Sequence, residues 1–331
     1  MARLLESAAI EGLRRGDRAV LARIITLLES TRAEDRVLAE RVLDEALEGE
    51  NQRSRPAIRV GITGPPGVGK STLIEALGMQ IIQRGMALAV LAIDPSSQRT
   101  GGSILGDKTR MPRLAVEPRA FVRPSPAGPH LGGVAARTRE AVLVCEAFGF
   151  DVVIVETVGV GQSETDVATM VDTFVLLAQP GAGDELQGVK RGIMEMCDLV
   201  VVTKADGDHL AKARDAAVDL RAALRVFGPR PSGLPPQLLL ASGLTGEGVP
   251  ELLTEIVQHH QHFHASGRLS TWHADERRRF FRALVDERIA RVFQTTHGRA
   301  LAELEAQVAQ GALTPTRALD ILFSSTTSNP S

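Results

Sequence analysis

Residues 64–71 read GPPGVGKS, and this stretch constrains the fold of the chain more than any other. The apolar run 58–63 precedes it and a second apolar segment begins at Thr72, so the sequence predicts a strand, a loop and a helix in succession. Glycines let successive backbone N–H groups point inward, and the start of the helix adds its positive dipole end. Lys70 would then reach the β- and γ-phosphate oxygens of a nucleotide, and the Ser71 hydroxyl would occupy one position around Mg²⁺. We predict a phosphate site made by Gly64, Pro65, Pro66, Gly67, Val68, Gly69, Lys70, Ser71 and Thr72.

Carboxylates follow two other apolar runs. Asp94 comes directly after the run 87–93, and Glu156 comes after the Val/Ile-rich run 151–155. Such uninterrupted runs are typical of parallel strands buried on both faces, and ligands of open α/β sheets lie beyond the carboxyl ends of those strands. We expect Glu156 to meet Mg²⁺ through water and Gly159 to bring a backbone N–H to the γ-phosphate.

A later apolar run ends in Thr203-Lys204-Ala205-Asp206, a pattern that favours guanine. A carboxylate at Asp206 can accept hydrogen bonds from guanine N1–H and the exocyclic amine, which adenine does not offer, while Lys204 can lie over the ring plane. Ser242-Gly243, after the strand predicted at 237–241, could place a backbone N–H against the guanine carbonyl. The sequence therefore favours GTP over ATP; the alternative interpretation of 203–206 is an ordinary polar loop.

Composition narrows the class of partner. The 331 residues carry 38 basic and 40 acidic side chains, a net charge of -2, which argues against a general nucleic-acid surface or a polybasic membrane patch. Cys145 and Cys197 lie far apart and outside any CxxC pattern, so we predict core thiols rather than a disulfide framework or a thiolate metal site. No apolar run approaches about 18 residues, so the sequence predicts no membrane-spanning helix. The arginine-containing first segment is amphipathic, as a mitochondrial presequence would be, but acidic residues interrupt it and such presequences are poor in acid. We expect a cytoplasmic protein with small-molecule or protein partners.

Helical periodicity flanks the predicted sheet on both sides. We predict an N-terminal helical extension over 1–55, with a capping box at Thr31 and Glu34, a nucleotide-binding domain over 56–265, and a C-terminal helical and dimerisation segment over 266–323. Residues 324–331 are predicted to be disordered. An apolar stripe in the C-terminal segment is typical of core or of an oligomer seam. Its members are Phe280, Phe281, Leu284, Val285, Ile289, Val292 and Phe293.

Four histidines between the sheet and this C-terminal segment admit a zinc-site interpretation, although no cysteine or paired carboxylate pattern accompanies them. They are His259, His260, His262 and His264.

With these residues assembled, the chain closely resembles the MeaB/ArgK/MMAA family of P-loop GTPases. The resemblance spans roughly residues 58–250. It is carried by GITGPPGVGKST, AIDPSSQRTGGSILGDKTRM, RPSPAGPHLGGVAARTREAVLVCEAFGFDVVIVETVGVGQSE, QPGAGDELQGVKRGIMEMCDLVVVTKADGD and ASGLTGEGV. It implies an α/β fold, a P-loop NTPase with a SIMIBI-type G domain, in which a mostly parallel sheet is flanked by helices and extended by helices at both termini. It also implies homodimers formed largely through the C-terminal helices.

The resemblance also implies roles for particular residues. Ser71, Asp94, Asp107 and Glu156 would form the Mg²⁺ and switch carboxylate set, and Lys190 and Arg110 would be charged groups near the phosphates. Residues 98–110, rich in glycine, hydroxyls and charge, look like a mobile switch, with a solvated surface loop as the alternative. Residues 179–190 match the third switch of the family. In one departure from the family pattern, Thr203 stands where the base motif usually begins with Asn.

These features predict an enzyme that hydrolyses GTP to GDP and phosphate slowly, with Mg²⁺ and bound GTP or GDP. The resemblance implies that it is a chaperone of adenosylcobalamin-dependent methylmalonyl-CoA mutase or a related acyl-CoA mutase, gating cofactor loading and protecting or reactivating the mutase. Two alternatives stay open: a nickel metallochaperone GTPase for hydrogenase or urease maturation, which would need a metal site, and a small-molecule or protein kinase.

Overall fold

A computed structural model of the chain describes residues 10–12, 15–30, 32–51, 56–94, 111–126, 131–157, 163–180 and 191–324. The predicted cap at Thr31, the predicted switch 98–110 and residues 325–331 lie outside these ranges.

A single parallel sheet organises the described residues. Its strands are β1 (Ile58–Thr63), β2 (Leu88–Asp94), β3 (Ala120–Pro126), β4 (Val152–Thr157), β5 (Thr173–Ala178), β6 (Leu199–Val202) and β7 (Gln237–Leu240). Their order is β3-β2-β4-β1-β5-β6-β7, and every neighbouring pair is parallel. The predicted fold class is therefore confirmed. The strand predicted over 151–155 and ending in Glu156 extends one residue further, to Thr157, so Glu156 is the penultimate residue of β4.

Helices cover both faces of the sheet. The helices of the described residues, including those of the C-terminal segment, are α1 (Arg18–Glu29), α2 (Ala33–Asn51), α3 (Lys70–Gln83), α4 (Pro112–Val116), α5 (Leu131–Phe148), α6 (Ser163–Ala168), α7 (Arg191–Met194), α8 (Leu210–Leu224), α9 (Val249–Ala265), α10 (Arg268–Ala309) and α11 (Pro315–Ser324), with a 3-10 helix at Gly207–His209. The short helices α4 and α6 were not predicted, because segments of five and six residues are too short to show a helical period.

The alternation of side chains along the strands divides the core into two layers. In β4, Val153 and Val155 pack in the layer beneath α5 and α8, whereas Val152 and Ile154 pack in the layer beneath α3 and α9. Both faces of β1, β4 and β5 are buried throughout. This explains why those strands read as continuous apolar runs rather than as alternating ones.

The N-terminal helix α1 packs on the sheet domain. Its buried face, Leu21, Ile24, Ile25 and Leu28, belongs to the same core layer as α5. The Glu29 carboxylate accepts a hydrogen bond from Arg123 of β3 at 2.5 Å, and Arg137 of α5 donates to the Glu29 carbonyl at 2.9 Å. These contacts attach the N-terminal helical extension to the sheet domain through α1.

The chain divides into two compact units, Met1–Glu276 and Arg277–Ser331. In the second unit, Phe293 and Phe323 stack with ring centroids 5.4 Å apart. The apolar stripe predicted there is not a core, because Phe281, Val285, Ile289 and Val292 are exposed. Ser324, predicted to be disordered, ends α11. The domain boundaries after residues 55, 265 and 323 stay predictions.

Candidate functional site

The loop between β1 and α3 holds the predicted phosphate site. Gly69, the residue before α3, has φ of 95°, a backbone conformation that favours glycine. Lys70 is the first residue of α3, and its Nζ donates to the carbonyls of Gly64 at 2.7 Å and Pro65 at 3.0 Å. These bonds tie the ammonium group to the loop at the start of a helix, where the dipole favours an anion.

The carboxyl end of β4 lies beside this loop, because β4 pairs with β1. Ser71 Oγ donates to Glu156 Oε1 at 3.2 Å, and Glu156 is buried. A hydroxyl and a carboxylate supply the oxygen donors that Mg²⁺ prefers. Asp94 ends β2, the neighbour of β4 on the other side, so the backbone places it at the same edge of the sheet.

A cavity of about 310 Å³ lies next to the phosphate loop and collects the predicted base-recognition residues. Two other segments of the chain line it, together with the end of the phosphate loop and the first turn of α3. The lining residues are Val68, Gly69, Thr72, Leu73, Thr203, Lys204, Asp206, His209, Ser242, Gly243 and Leu244.

Asp206 is held in this cavity by Ser242. The buried Ser242 hydroxyl donates to the Asp206 carboxylate and accepts the backbone N–H of Leu244 at 3.2 Å and of Thr245 at 3.1 Å. One side chain therefore orients the carboxylate and shapes the loop after β7. At Gly243, a Cβ would lie 2.8 Å from the backbone nitrogen of Leu73, so only glycine lets this loop approach the first turn of α3.

Thr203 and Lys204 differ in their surroundings. Thr203 is buried at the end of β6, and its hydroxyl oxygen lies 2.7 Å from the Val68 carbonyl oxygen and 3.1 Å from that of Ala178. Lys204 is exposed, has φ of 55°, and donates from Nζ to Gln179 Oε1 at 3.3 Å. The structure therefore brings the two residues to the same cavity, one inside its wall and one at its surface.

Four predicted site residues lie outside the described ranges: Asp107, Arg110, Gly159 and Lys190. The same holds for residues 181–190 of the predicted third switch. Their roles stay predictions.

His209 is a cavity residue that the sequence analysis missed. Its backbone N–H donates to the Asp206 carbonyl at 3.0 Å, so one 3-10 turn brings it to the wall that Asp206 occupies. The signal available in the sequence was a spacing of three residues from a predicted base contact, since i and i+3 side chains of a 3-10 helix eclipse.

The histidines of α9 lie on two faces and not in a cluster. His262 and His264 are exposed, whereas His259 and His260 are buried near the amino ends of the strands. His259 Nδ1 lies 2.8 Å from Thr173 Oγ1 in a hydrogen bond. Within the ranges that the structure describes, no group of three potential ligands could hold a metal ion, so neither the zinc interpretation nor the nickel alternative gains support from them.

Asp172 accepts hydrogen bonds within this buried polar cluster. His273 Nε2 lies 2.7 Å from its Oδ1, and the Arg59 backbone N–H donates to its Oδ2 at 3.0 Å. Burial alone would raise the pKa of Asp172, but the contacts with His260 and His273 and the charges of His273 and Arg59 outweigh it. The pKa of this carboxyl therefore lies well below its usual range.

Both cysteines are buried thiols, as predicted. Burial raises the pKa of Cys197 to about 12, and burial together with the Glu146 charge also raises the pKa of Cys145. Neither side chain is a thiolate near neutral pH, the form that a nucleophile or a metal ligand requires.

Among the described helices, none combines the length and the apolar character needed to cross a bilayer.

Known proteins resemble this chain over nearly its whole length. A protein-family model described as "Methylmalonyl Co-A mutase-associated GTPase MeaB" matches residues 21–297. A putative GTPase of Caulobacter vibrioides is 50% identical over 310 residues, which cover 93% of this chain and 94% of that protein. The mitochondrial methylmalonic aciduria type A homolog of Mus musculus is 44% identical over 320 residues, which cover 94% of this chain and 77% of that protein.

A solved structure agrees with these relatives. The chain in the crystal structure of LAO/AO transport system kinase is 34% identical in sequence to this one. The two structures superpose over 98% of each chain with a TM-score of 0.77. The resemblance inferred from the motifs is thus confirmed by the family model and by curated relatives. This chain belongs to the family of methylmalonyl-CoA mutase-associated GTPases, and it is an enzyme that hydrolyses GTP.

Proposed function

We propose that this GTPase is a chaperone of an adenosylcobalamin-dependent acyl-CoA mutase, with methylmalonyl-CoA mutase as the first candidate. The observation that carries the proposal is the match of residues 21–297 to a family described as mutase-associated. In this proposal the GTP-bound and GDP-bound states bind the mutase differently, so that hydrolysis gates cofactor loading and protects the mutase. We also propose that the protein is located in the cytoplasm, because GTP is available there.

The chain's own residues would supply positioning and charge. Lys70, held by the carbonyls of Gly64 and Pro65, would place an ammonium group beside the β- and γ-phosphates, and the loop N–H groups would bind their oxygens. Ser71 and Glu156 would hold Mg²⁺, with Asp94 and Asp107 completing the set. When bound, Mg²⁺ neutralises charge on the β- and γ-phosphate oxygens. Asp206, oriented by Ser242, would accept hydrogen bonds from guanine.

The partner protein provides the test. We would measure steady-state GTP hydrolysis by the purified chain with and without an adenosylcobalamin-dependent mutase from the same source. Stimulation of tenfold or more, about 1.4 kcal/mol of barrier, supports the proposal. The variant Lys70→Ala, measured in parallel, shows whether the phosphate released comes from this site. Unchanged hydrolysis at saturating mutase would contradict the chaperone role and leave the GTPase activity intact.

We further propose that two copies of the chain associate through the exposed stripe on α10. Phe281, Val285, Ile289 and Val292 recur at intervals of four, four and three residues, so they form one apolar face of the helix. Ile289→Asp should shift the protein toward monomer in sedimentation velocity. Val218→Asp, which alters an equally exposed valine on α8, is the matched control and should leave the mass unchanged.

A kinase activity is the second candidate, favoured by the name of the 34% identical protein of known structure, a transport system kinase. It predicts transfer of the γ-phosphate to an acceptor. Labelled phosphate that appears only as inorganic phosphate, across amino-acid and protein acceptors, would argue against it.

A further inference from the structure

A side chain from the end of a neighbouring strand holds the Lys204 ammonium group at the surface of the base cavity. Lys204 Nζ donates to Gln179 Oε1 at 3.3 Å. Lys204 lines the cavity, whereas Gln179 is not among the described residues that line it. Because an ammonium group has donors and no acceptor, it is the amide oxygen of Gln179 that receives this bond. The contact therefore bears on the residue that the sequence predicts to lie over the ring plane of the base.

The register of the sheet explains how Gln179 reaches Lys204. Strands β5 and β6 are parallel, and Ala178 at the end of β5 pairs with Val202 at the end of β6. The Thr203 backbone N–H donates to the Ala178 carbonyl at 2.8 Å, which continues the pairing beyond the end of β6. Gln179 is the next residue after β5, so the sheet places it beside the start of the base motif.

The main chain of Lys204 is fixed independently of this bond. Its φ of 55° lies in the left-handed region, which costs free energy in a residue other than glycine. On one side, the Thr203 N–H is bonded to the Ala178 carbonyl. On the other side, the Ala205 N–H donates to the Ala241 carbonyl at 3.3 Å. The conformational freedom that remains to Lys204 is therefore in its side chain.

That remaining freedom is large enough to affect binding. A lysine ammonium group sits on a flexible four-carbon stem, and lysine is among the side chains that lose most rotamer freedom when they are fixed. Lys204 is exposed, so water surrounds much of this stem. A stem that must become ordered over a base weakens nucleotide binding by the entropy it loses. The bond to Gln179 removes part of that entropy before the nucleotide binds.

We propose that Gln179 is a positioning residue that preorganises the Lys204 side chain for the guanine base. It acts through the ammonium group and does not contact the nucleotide. The feature that this role requires is an acceptor oxygen at the end of the side chain at position 179. The inference rests on the base-recognition role proposed for Lys204 and is independent of which protein is the client of this GTPase.

The test measures nucleotide affinity in a double-mutant cycle. GDP and GMP would compete against a fluorescent GDP analogue for wild type, Gln179→Leu, Gln179→Glu, Lys204→Ala and the double variant Q179L/K204A. Leucine removes the acceptor with little change in volume, and glutamate keeps an acceptor oxygen at the same distance from the main chain. Because GDP and GMP share the base and differ in the β-phosphate, an effect on base binding lowers both affinities by the same factor.

For Q179L we expect the affinities for GDP and GMP each to fall about fivefold. Q179E should keep both affinities within about twofold of wild type. In the K204A background, Q179L should have no further effect, because a positioning residue acts only through the residue that it positions. Gln237→Leu is the matched control, since Gln237 is an exposed glutamine at the start of β7 whose amide donates to the Pro235 carbonyl at 3.4 Å. It should leave both affinities unchanged.

Four results would overturn the inference: a loss of less than about twofold in Q179L, a loss confined to GDP, a Q179E variant that behaves like Q179L, or an equal loss from Q179L in the K204A background. The last of these would indicate that Gln179 contacts the nucleotide directly. Unchanged affinity in K204A would refute the role of Lys204 itself. If Q179L does not fold, Gln179→Met takes its place with the same expected loss, because methionine keeps the unbranched stem and has only a weak acceptor.

Discussion

Replacing Asp206 by asparagine should exchange the base preference of this enzyme. In the structure the carboxylate lines the cavity beside the phosphate loop and is oriented by the Ser242 hydroxyl. Guanine presents two donors to it, N1–H and the exocyclic amine. Xanthine presents N1–H and a carbonyl at the position of that amine. An asparagine amide, with one acceptor and one donor, is complementary to xanthine and not to guanine.

The magnitude follows from the bonds involved. Each hydrogen bond to a charged acceptor contributes about 1.5–3 kcal/mol, and D206N loses one of them and turns a donor toward the guanine amine. Asp206 is half-buried, so solvent compensates only in part. We expect a loss of about 2–4 kcal/mol, which is roughly 30- to 1000-fold in GDP affinity. Xanthosine diphosphate should gain affinity by a comparable factor.

The assay is competition of GDP and xanthosine diphosphate against a fluorescent GDP analogue, followed by hydrolysis of GTP and xanthosine triphosphate. Asp208→Asn is the matched control, since Asp208 is exposed, two residues away and not among the residues that line the cavity. A D206N protein that still prefers GDP would refute the assignment of Asp206 to the base. So would a D208N protein with an equal change.

Three further predictions concern the metal and the core. Glu156→Gln should raise the Mg²⁺ concentration needed for half-maximal hydrolysis about tenfold, without changing GDP affinity in EDTA; an unchanged Mg²⁺ dependence would contradict its role. Glu146→Gln removes the carboxylate charge that accepts two hydrogen bonds from buried Arg59, at 2.6 and 2.7 Å, so the free energy of unfolding measured in urea should fall by about 3–5 kcal/mol. As the control, Glu303→Gln in the exposed pair with Arg299 should change the free energy of unfolding by less than about 0.5 kcal/mol. The pKa of Asp172 is lower in the folded protein than in the unfolded chain, where it is near 3.9. The contribution of its carboxylate to the free energy of unfolding is therefore complete above the unfolded pKa and is lost as the pH falls toward the folded pKa. Asp172→Asn should therefore destabilise the protein more at pH 7 than at pH 3 in urea titrations, and equal losses at both pH values would refute this.

Much of the phosphate site could be predicted because its geometry is local. Residues 64–71 carry the glycines, the lysine and the strand-to-helix context within one short stretch, and the structure places the loop between β1 and α3 as expected. The positions of Glu156 and Asp206 in the fold could be predicted for a related reason, and their roles stay predictions. Both come at the carboxyl ends of apolar runs, and parallel strands bring those ends to one edge of the sheet.

Other residues could be assigned only after the tertiary structure was known. The histidines at 259 and 260 read as potential ligands, yet helix α9 buries them beside Thr173 and the carboxylates of Asp172 and Asp198. His209 lines the base cavity because of a 3-10 turn of three residues, which is too short to show a periodic pattern in the sequence. The exposed stripe on α10 has the same pattern that a core helix would have.

The sequence by itself determined the class of the protein, because the phosphate loop and the base motif each contain their chemistry and local geometry within a few residues. The tertiary structure alone decided how these pieces are coupled. Thr203 reaches Val68 across 135 residues of sequence, and Ser242 reaches Asp206 across 36. Both contacts depend on the strand order β1-β5-β6-β7, which aligns the ends of strands that are distant along the chain. Local residue patterns do not encode that order, since it results from packing the whole sheet between its two helical layers.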